Sequence, residues 1–362
     1  MSVKFHFFVN DKKRAGTFML HSKRIVFLFI LFLSELVTAQ DPQFSQFYSA
    51  PLFLNPAFAG ASQLTRVGGN YRNQWPSLDA NFVTYAAWAD HFIDDKNSGI
   101  GFLVGRDIAT VSGLQSTSIS GQYAYQQPLN SLFTLRVGFH AGYVLRSIDF
   151  NSLIFGDQIN PDGSINPSTM ESFDQNINNY LDLGVGALVY SGTAWLGFSA
   201  YHLNRPNQTF IGESSPLPRK YSVHLGYKIF FSDGVIGEGL FERPQERSVA
   251  PTMQYKFQGE FDQLDLGVYF TYEPLVFGLW YRGLPIKSVE GNINSDALVL
   301  LLGFRQVSKK EIISIGYSYD VTLSNLGTAS GGAHEFSIAY SWFTGDPRKP
   351  PKNVRIIPCP DF

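Results

Sequence analysis

Hydrolytic chemistry needs a nucleophile, a base and a third group that orients the base, all in contact. His91, His140, His202, His224 and His334 are scattered over separate segments, with no HExxH pair and no GxSxG turn to supply that constellation. The single cysteine, Cys359, rules out a disulfide framework, and no CxxC or paired His/Cys spacing offers a zinc site. Neither an enzyme nor a cofactor or metal site is expected. With 28 Lys and Arg against 30 Asp and Glu, the net charge of -2 provides no basic surface for nucleic acid.

The remaining polar residues follow a different pattern. Tyr221, Val223, Leu225, Tyr227 and Ile229 alternate with Ser222, His224, Gly226 and Lys228. Ile313, Ile315, Tyr317, Tyr319 and Val321 alternate with Ser314, Gly316, Ser318 and Asp320, and similar runs place Arg136, His140 and Asp182 on the polar parity. Period two of this kind is the signature of strands with one apolar and one polar face. By the same parity Arg136, His140, Asp182, His224, Lys228, Asp265 and Asp320 share an interior, as either a charged pore or a hydrogen-bonded packing network. Glycines on this parity suit a crowded inward face, so Gly226→Ser is expected to be mild.

The elements that must position these residues are too long for a soluble sandwich, whose strands average about five or six residues. A tilted strand crossing a bilayer needs about 9 to 11. Only 16% of the residues are charged, against about 25% in soluble domains. Phe (32) and Tyr (18) are abundant, and Tyr180, Tyr190, Tyr221, Phe230, Tyr272, Trp342 and Phe343 fall at run ends, where interfacial girdles belong. The sequence predicts an all-β, antiparallel outer-membrane β-barrel of about fourteen strands. Their centres are Gly69, Tyr85, Phe102, Ile119, Phe139, Val185, Phe198, Leu225, Met253, Val268, Leu279, Leu301, Ile315 and Ile338. Tight turns at 94–97, 127–130, 191–193, 273–274 and 307–310 alternate with longer connections at 146–179, 203–219, 282–295 and 322–332. The tight set is expected to be periplasmic and the long set extracellular. One pair breaks the alternation, a long connection at 232–246 and a short one at 258–262.

The apolar run from Ile25 to Leu33, preceded by Lys23 and Arg24 and followed by Val37-Thr38-Ala39, reads as a cleaved leader. Residues 1–39 are therefore expected to be a signal peptide, with Met19, which opens a basic leader of ordinary length, expected as the translation start. Residues 40–63 form an irregular segment, 64–344 the barrel and 345–362 a Pro-rich basic periplasmic tail. Pro42, Pro51 and Pro56 prevent a long helix or central strand near the start. Phe44, Phe47, Tyr48 and Phe53 make that segment too apolar for water. It should pack in the lumen or across the periplasmic mouth, as a plug or as a docking element. Arg348, Lys349, Lys352 and Arg355 make the tail either a solvated run or a partner ligand.

Certain stretches resemble a known family. Asp41-Pro42-Gln43-Phe44-Ser45-Gln46, then Pro51-Leu52-Phe53-Leu54-Asn55-Pro56-Ala57-Phe58-Ala59-Gly60, is similar to the opening of the PorP/SprF family of type IX secretion outer-membrane proteins. Tyr71-Arg72-Asn73-Gln74-Trp75, Gly316-Tyr317-Ser318-Tyr319-Asp320 and Gly332-Ala333-His334-Glu335-Phe336-Ser337 strengthen the likeness. The resemblance implies a lipid-embedded barrel in the outer membrane of a Gram-negative bacterium. There it would help cargo such as adhesins reach and stay on the surface, with the periplasmic secretion and gliding machinery as partners. The competing readings are a passive diffusion channel for small solutes and a surface adhesin acting through its loops. An even strand count is expected to leave both mature termini in the periplasm.

Overall fold

The computed structural model describes residues 41–150, 153–170, 176–210, 214–231, 245–289, 292–308, 311–324, 327–344 and 356–360. The expected leader and the basic tail residues Arg348, Lys349, Lys352 and Arg355 lie outside the described residues. Period-two alternation becomes strands β1 (Thr65–Gln74), β2 (Phe82–Ile93), β3 (Ser98–Ala109), β4 (Leu114–Pro128), β5 (Thr134–Ser147), β6 (Ile177–Tyr190), β7 (Ala194–Tyr201) and β8 (Lys220–Tyr227). The sheet continues with β9 (Ile229–Phe230), β10 (Arg247–Gln258), β11 (Phe261–Tyr272), β12 (Leu275–Val289), β13 (Asn292–Val307), β14 (Glu311–Thr322) and β15 (Ala333–Trp342). Each pairs antiparallel with its neighbours, and β1 pairs with β15 from Thr65↔Trp342 to Gln74↔Ala333, which closes the barrel.

β8 and β9 both pair with β10, so they are two pieces of one stave and the barrel has fourteen. The break falls at Lys228, whose N–H donates to Thr193 O at 2.7 Å on the β7 side. Pro251 of β10, which has no N–H to give, lies in this stretch of the partner strand. All fourteen sequence-derived centres fall on separate staves.

The barrel has two mouths. At the first, where β1 begins and β15 ends, β2–β3, β4–β5, β6–β7, β11–β12 and β13–β14 are joined by tight turns, and the longer link from β9 to β10 also belongs here. The second mouth carries the 148–176 and 202–219 connections and the 259–260 turn. The sequence expectation of an irregular connection over 282–295 is corrected, because β12 and β13 continue as a ladder to Val289↔Asn292. Register shifts at Arg282/Gly283 and Leu284/Ser288 absorb the irregular composition.

Outward residues form an apolar belt, with Phe102 51%, Phe139 56% and Ile315 48% exposed. Inward ones are enclosed, with Ser314 3% exposed between them. Several inward glycines lie under large rings. A Cβ at Gly226 would come within 2.2 Å of the Trp195 ring, and Cβ atoms at Gly267 and Gly278 within 2.0 and 2.3 Å of Trp280. These glycines give indole rings a floor, so Gly226→Ser is not a mild change. Tyr190 also departs from its expected girdle position. It shares the inward parity of Asp182 on β6, is buried, and donates its hydroxyl to Gln126 Oε1 at 3.3 Å.

Residues 41–64 fill the interior. Pro51 opens a one-turn helix α1 (Pro51–Leu54), its missing N–H costing nothing at that position. A 3-10 turn follows at Pro56–Phe58. The Asn55 side chain caps that turn by accepting from Ala57 N at 2.9 Å. Phe44, Phe47, Tyr48, Leu52 and Phe58 join Trp88, Trp195, Tyr269 and Trp280 of the wall in one buried apolar cluster. Ile357 of the carboxyl-terminal residues belongs to the same cluster.

Candidate functional site

The lumen is organised as three tiers along residues 41–60. At the second mouth Asp41 meets His202, which follows β7, Lys220, which opens β8, and Gln258, which closes β10. His202 Nε2 lies 2.7 Å from Asp41 Oδ2, and its Nδ1 lies 2.8 Å from Asp182 Oδ1. Lys220 Nζ approaches Asp41 Oδ2 at 3.3 Å, Gln258 Nε2 donates to Asp41 Oδ1 at 3.2 Å, and Asp41 N donates to Gln258 Oε1 at 3.1 Å. Burial alone would lower the His202 pKa, but Asp41 and Asp182 together raise it to about 9. Burial would raise that of Asp41, yet Lys220 and His202 hold it well below the carboxylate range. Opposed shifts of this kind describe an ion pair closed at neutral pH.

The middle tier holds buried charge. Arg72 reaches Asp320 at 2.8 Å and Glu335 at 3.2 Å, while Arg282 bridges Asp265 at 2.8 Å and Asp320 at 2.9 Å. The irregular segment enters this network directly. Ser45 N and Gln46 N donate to the Glu335 carboxylate at 2.7 and 2.9 Å. Ser45 Oγ donates to Asp320 at 2.7 Å while accepting from Arg72 and Arg282. Such a network fixes geometry more than it adds stability, because desolvation offsets much of the Coulomb gain. Removing one member is expected to cost about 3 to 5 kcal/mol, since its partner is left buried and unpaired.

In the tier nearest the first mouth, side chains of the segment and of the wall bond to each other's backbone. Asn55 Nδ2 donates to Ala187 O and Phe198 O at 3.1 and 3.0 Å. Arg136 Nε donates to Ala57 O at 2.9 Å and its Nη2 to Ala59 O, so one guanidinium holds the turn. Gly60 N donates to Asp90 Oδ2, which also takes Arg66, at 2.7 Å in each case. The wall is glycine where the segment presses on it. A Cβ at Gly138 would lie 2.4 Å from Ala57 N, and one at Gly186 2.0 Å from Asn55 Oδ1. Ile356, Ile357, Cys359 and Pro360 line a small cavity with Tyr48, Phe58 and Arg66 at this mouth.

The seven polar residues singled out from the sequence form several groups. Asp265 and Asp320 meet through Arg282, and His140 Nε2 lies 3.7 Å from Asp182. Arg136 grips the segment, and His224 stacks on Phe58 with ring centroids 5.5 Å apart. Lys228 lies apart, paired with Glu246 at 2.8 Å. Burial would raise the Glu246 pKa, but Lys228 lowers it to about 2. Phe44, Phe47 and Tyr48 are buried among the chain's own residues. Phe44 and Phe53 pack edge to face at 5.1 Å, and Trp195 Nε1 donates to Tyr48 at 2.6 Å. Parity also marks Arg72, Arg282 and Glu335, which sequence reasoning passed over. Lys220, on the parity of Ser222 and His224, was passed over in the same way, whereas His202 and Asp41 lie outside the alternating runs and gave no such signal.

A transmembrane barrel whose closed, apolar-belted wall surrounds a core of its own leading residues is an integral outer-membrane protein. The chain belongs to the type IX secretion system membrane protein PorP/SprF family, whose pattern it matches over residues 36–340. No curated protein is detectably similar to it. Among solved structures it is similar to a FadL homologue of Pseudomonas aeruginosa, at 12% identity and a TM-score of 0.45, over 82% of this chain and 94% of the other. The toluene transporter TodX of Pseudomonas putida gives 10% identity and 0.42, over 84% and 95%. At these values neither likeness bears on what the chain binds or passes.

Proposed function

We propose that this protein is a plugged outer-membrane scaffold of the type IX secretion system, which anchors secreted cargo such as adhesins at the cell surface through partner binding and not through catalysis. In this reading the first mouth faces the periplasm, with its tight turns, the 231–246 link and the tail available to the secretion and gliding machinery. The second mouth faces outward. Its two long connections support each other there, with Arg146 donating to Gln208 and Phe150 packing edge to face on Phe210 at 6.3 Å. A docking role for Phe44, Phe47, Tyr48 and Phe53 would require them to leave the core, so we assign them to the plug.

The observation that carries this reading is the occupied lumen of a family member. A diffusion channel needs a continuous aqueous path, whereas residues 41–60 bond to the wall at every tier. Planar-bilayer recording of the purified protein tests it directly. The intact barrel should give no steady conductance, and deletion of residues 41–60 should create one. Steady conductance of the intact protein would favour the channel. Co-purification from native membranes should recover secretion-machinery chains and a surface cargo, and recovery of neither would remove the scaffold role.

A further inference from the structure

The path of residues 41–60 has a topological consequence. The segment joins β1 at the first mouth, where Gly60 is held by Asp90. Its other end, Asp41, lies at the second mouth among His202, Lys220 and Gln258, which sit at the ends of β7, β8 and β10 on that side. The contacts between lead from one mouth to the other, Gln46 on Glu335, Asn55 on Ala187 and Ala57 on Arg136, with a fold in the path where Tyr48 reaches Trp195 and Phe53 returns to Lys220. The segment therefore makes a fifteenth pass inside the other fourteen. An even number of strands brings Thr65 and Trp342 to one mouth, but a segment that turns back through the lumen is not bound by that count. Asp41 and Ile357 belong to opposite mouths, a placement at odds with the expectation that both mature termini share the periplasmic side.

We propose that the amino terminus of the mature chain is presented at the cell surface, latched by Asp41 in the mouth that carries the long connections. Cargo arriving outside would then meet the terminus together with the 148–176 and 202–219 connections as one surface. This rests on the orientation proposed above and on leader removal beside Gln40. The latch is built for a fixed end. The Asp41 carboxylate is gripped by three side chains from three separate staves, and Lys220 also covers the Phe53 ring at 5.4 Å.

Single-cysteine reporters in a Cys359→Ser background test the inference with a membrane-impermeant maleimide on intact cells. Gln40→Cys and Ser164→Cys, the latter exposed in the 148–176 connection, should label. Ser131→Cys, in the exposed turn between β4 and β5, should label only after the outer membrane is permeabilised. Gln40→Cys grouping with Ser131→Cys, or reacting only after denaturation, overturns the threading. If Ser164→Cys and Ser131→Cys exchange sides while Gln40→Cys still follows Ser164→Cys, the threading stands and the orientation, with surface presentation, is wrong. The latch has its own arm: Gln43→Cys should react several-fold faster when Asp41→Asn is added, and an unchanged rate would dismiss Asp41 as the latch.

Discussion

Gly138 and Gly121 both lie on barrel strands, yet only Gly138 has residues 56–57 pressed against it. A Cβ at Gly138 would come within 2.4 Å of the Pro56–Ala57 backbone, whereas one at Gly121 meets nothing within 4 Å. Gly138→Ala should therefore displace the plug and cost about 1 to 3 kcal/mol, as overpacking does, while Gly121→Ala should be close to neutral. Thermal unfolding in detergent with limited proteolysis of residues 41–60 checks both, and equal behaviour would mean that the plug is not seated on the wall. His202 supplies a second residue-scale test. Its pKa is raised from 6.5 to about 9, so its stabilisation of the latch is complete below 6.5 and is lost as pH rises through about 9. The reactivity of Gln43→Cys, followed as the fraction of thiolate is corrected for, should rise across that upper limb. His202→Gln should abolish the step.

At the scale of the element, an outward residue should be sensitive to charge in proportion to its depth. Leu225→Arg, near mid-strand on an exposed apolar position, should cost about 2 to 4 kcal/mol, and Phe261→Arg, the first residue of β11, about 0 to 1. Urea titration of the protein in liposomes measures both, and a depth-independent cost would argue against lipid contact. Strand positions were legible because period two is strict: a one-residue slip would turn Leu225 and Ile315 inward and His224 and Ser314 into lipid. The 282–295 ladder was not legible, because Gly283, Pro285 and the Asn-rich turn read as loop punctuation and only pairing with β13 overrides them. Tyr190 misled for a related reason. An aromatic at a strand end suits a girdle and a lumen equally, and only its parity decides.

Residues 41–64 and Ile357 pack together inside the barrel, a placement that no local pattern encodes. Prolines and aromatics at 42–58 indicate an irregular apolar segment, but its direction depends on Asp41 finding His202 and Lys220 more than 150 residues away. The tail changes meaning as well. Deleting residues 345–362 would remove Arg348, Lys349, Lys352 and Arg355 and, with them, Ile357, which is buried against the plug at the first mouth. A loss of partners in that deletion would confuse docking with a loosened plug, so the two must be separated. Replacing the four basic residues with Ser keeps Ile357 in place, and this variant should insert at normal levels, remain non-conducting and lose its periplasmic partners. Ile357→Asp puts a carboxylate into the apolar cluster, where the neighbouring Arg66 is already held by Asp90, and at about 1 to 3 kcal/mol or more this favours expulsion of the end from the core. It should keep the partners, while the plug becomes more accessible to protease from the periplasmic side. Partner pull-down and proteolysis on the two variants read the two roles independently. If the Ser variant retains every partner and secretes cargo normally, the basic residues are no docking strip, and the carboxyl-terminal segment acts only as a stopper.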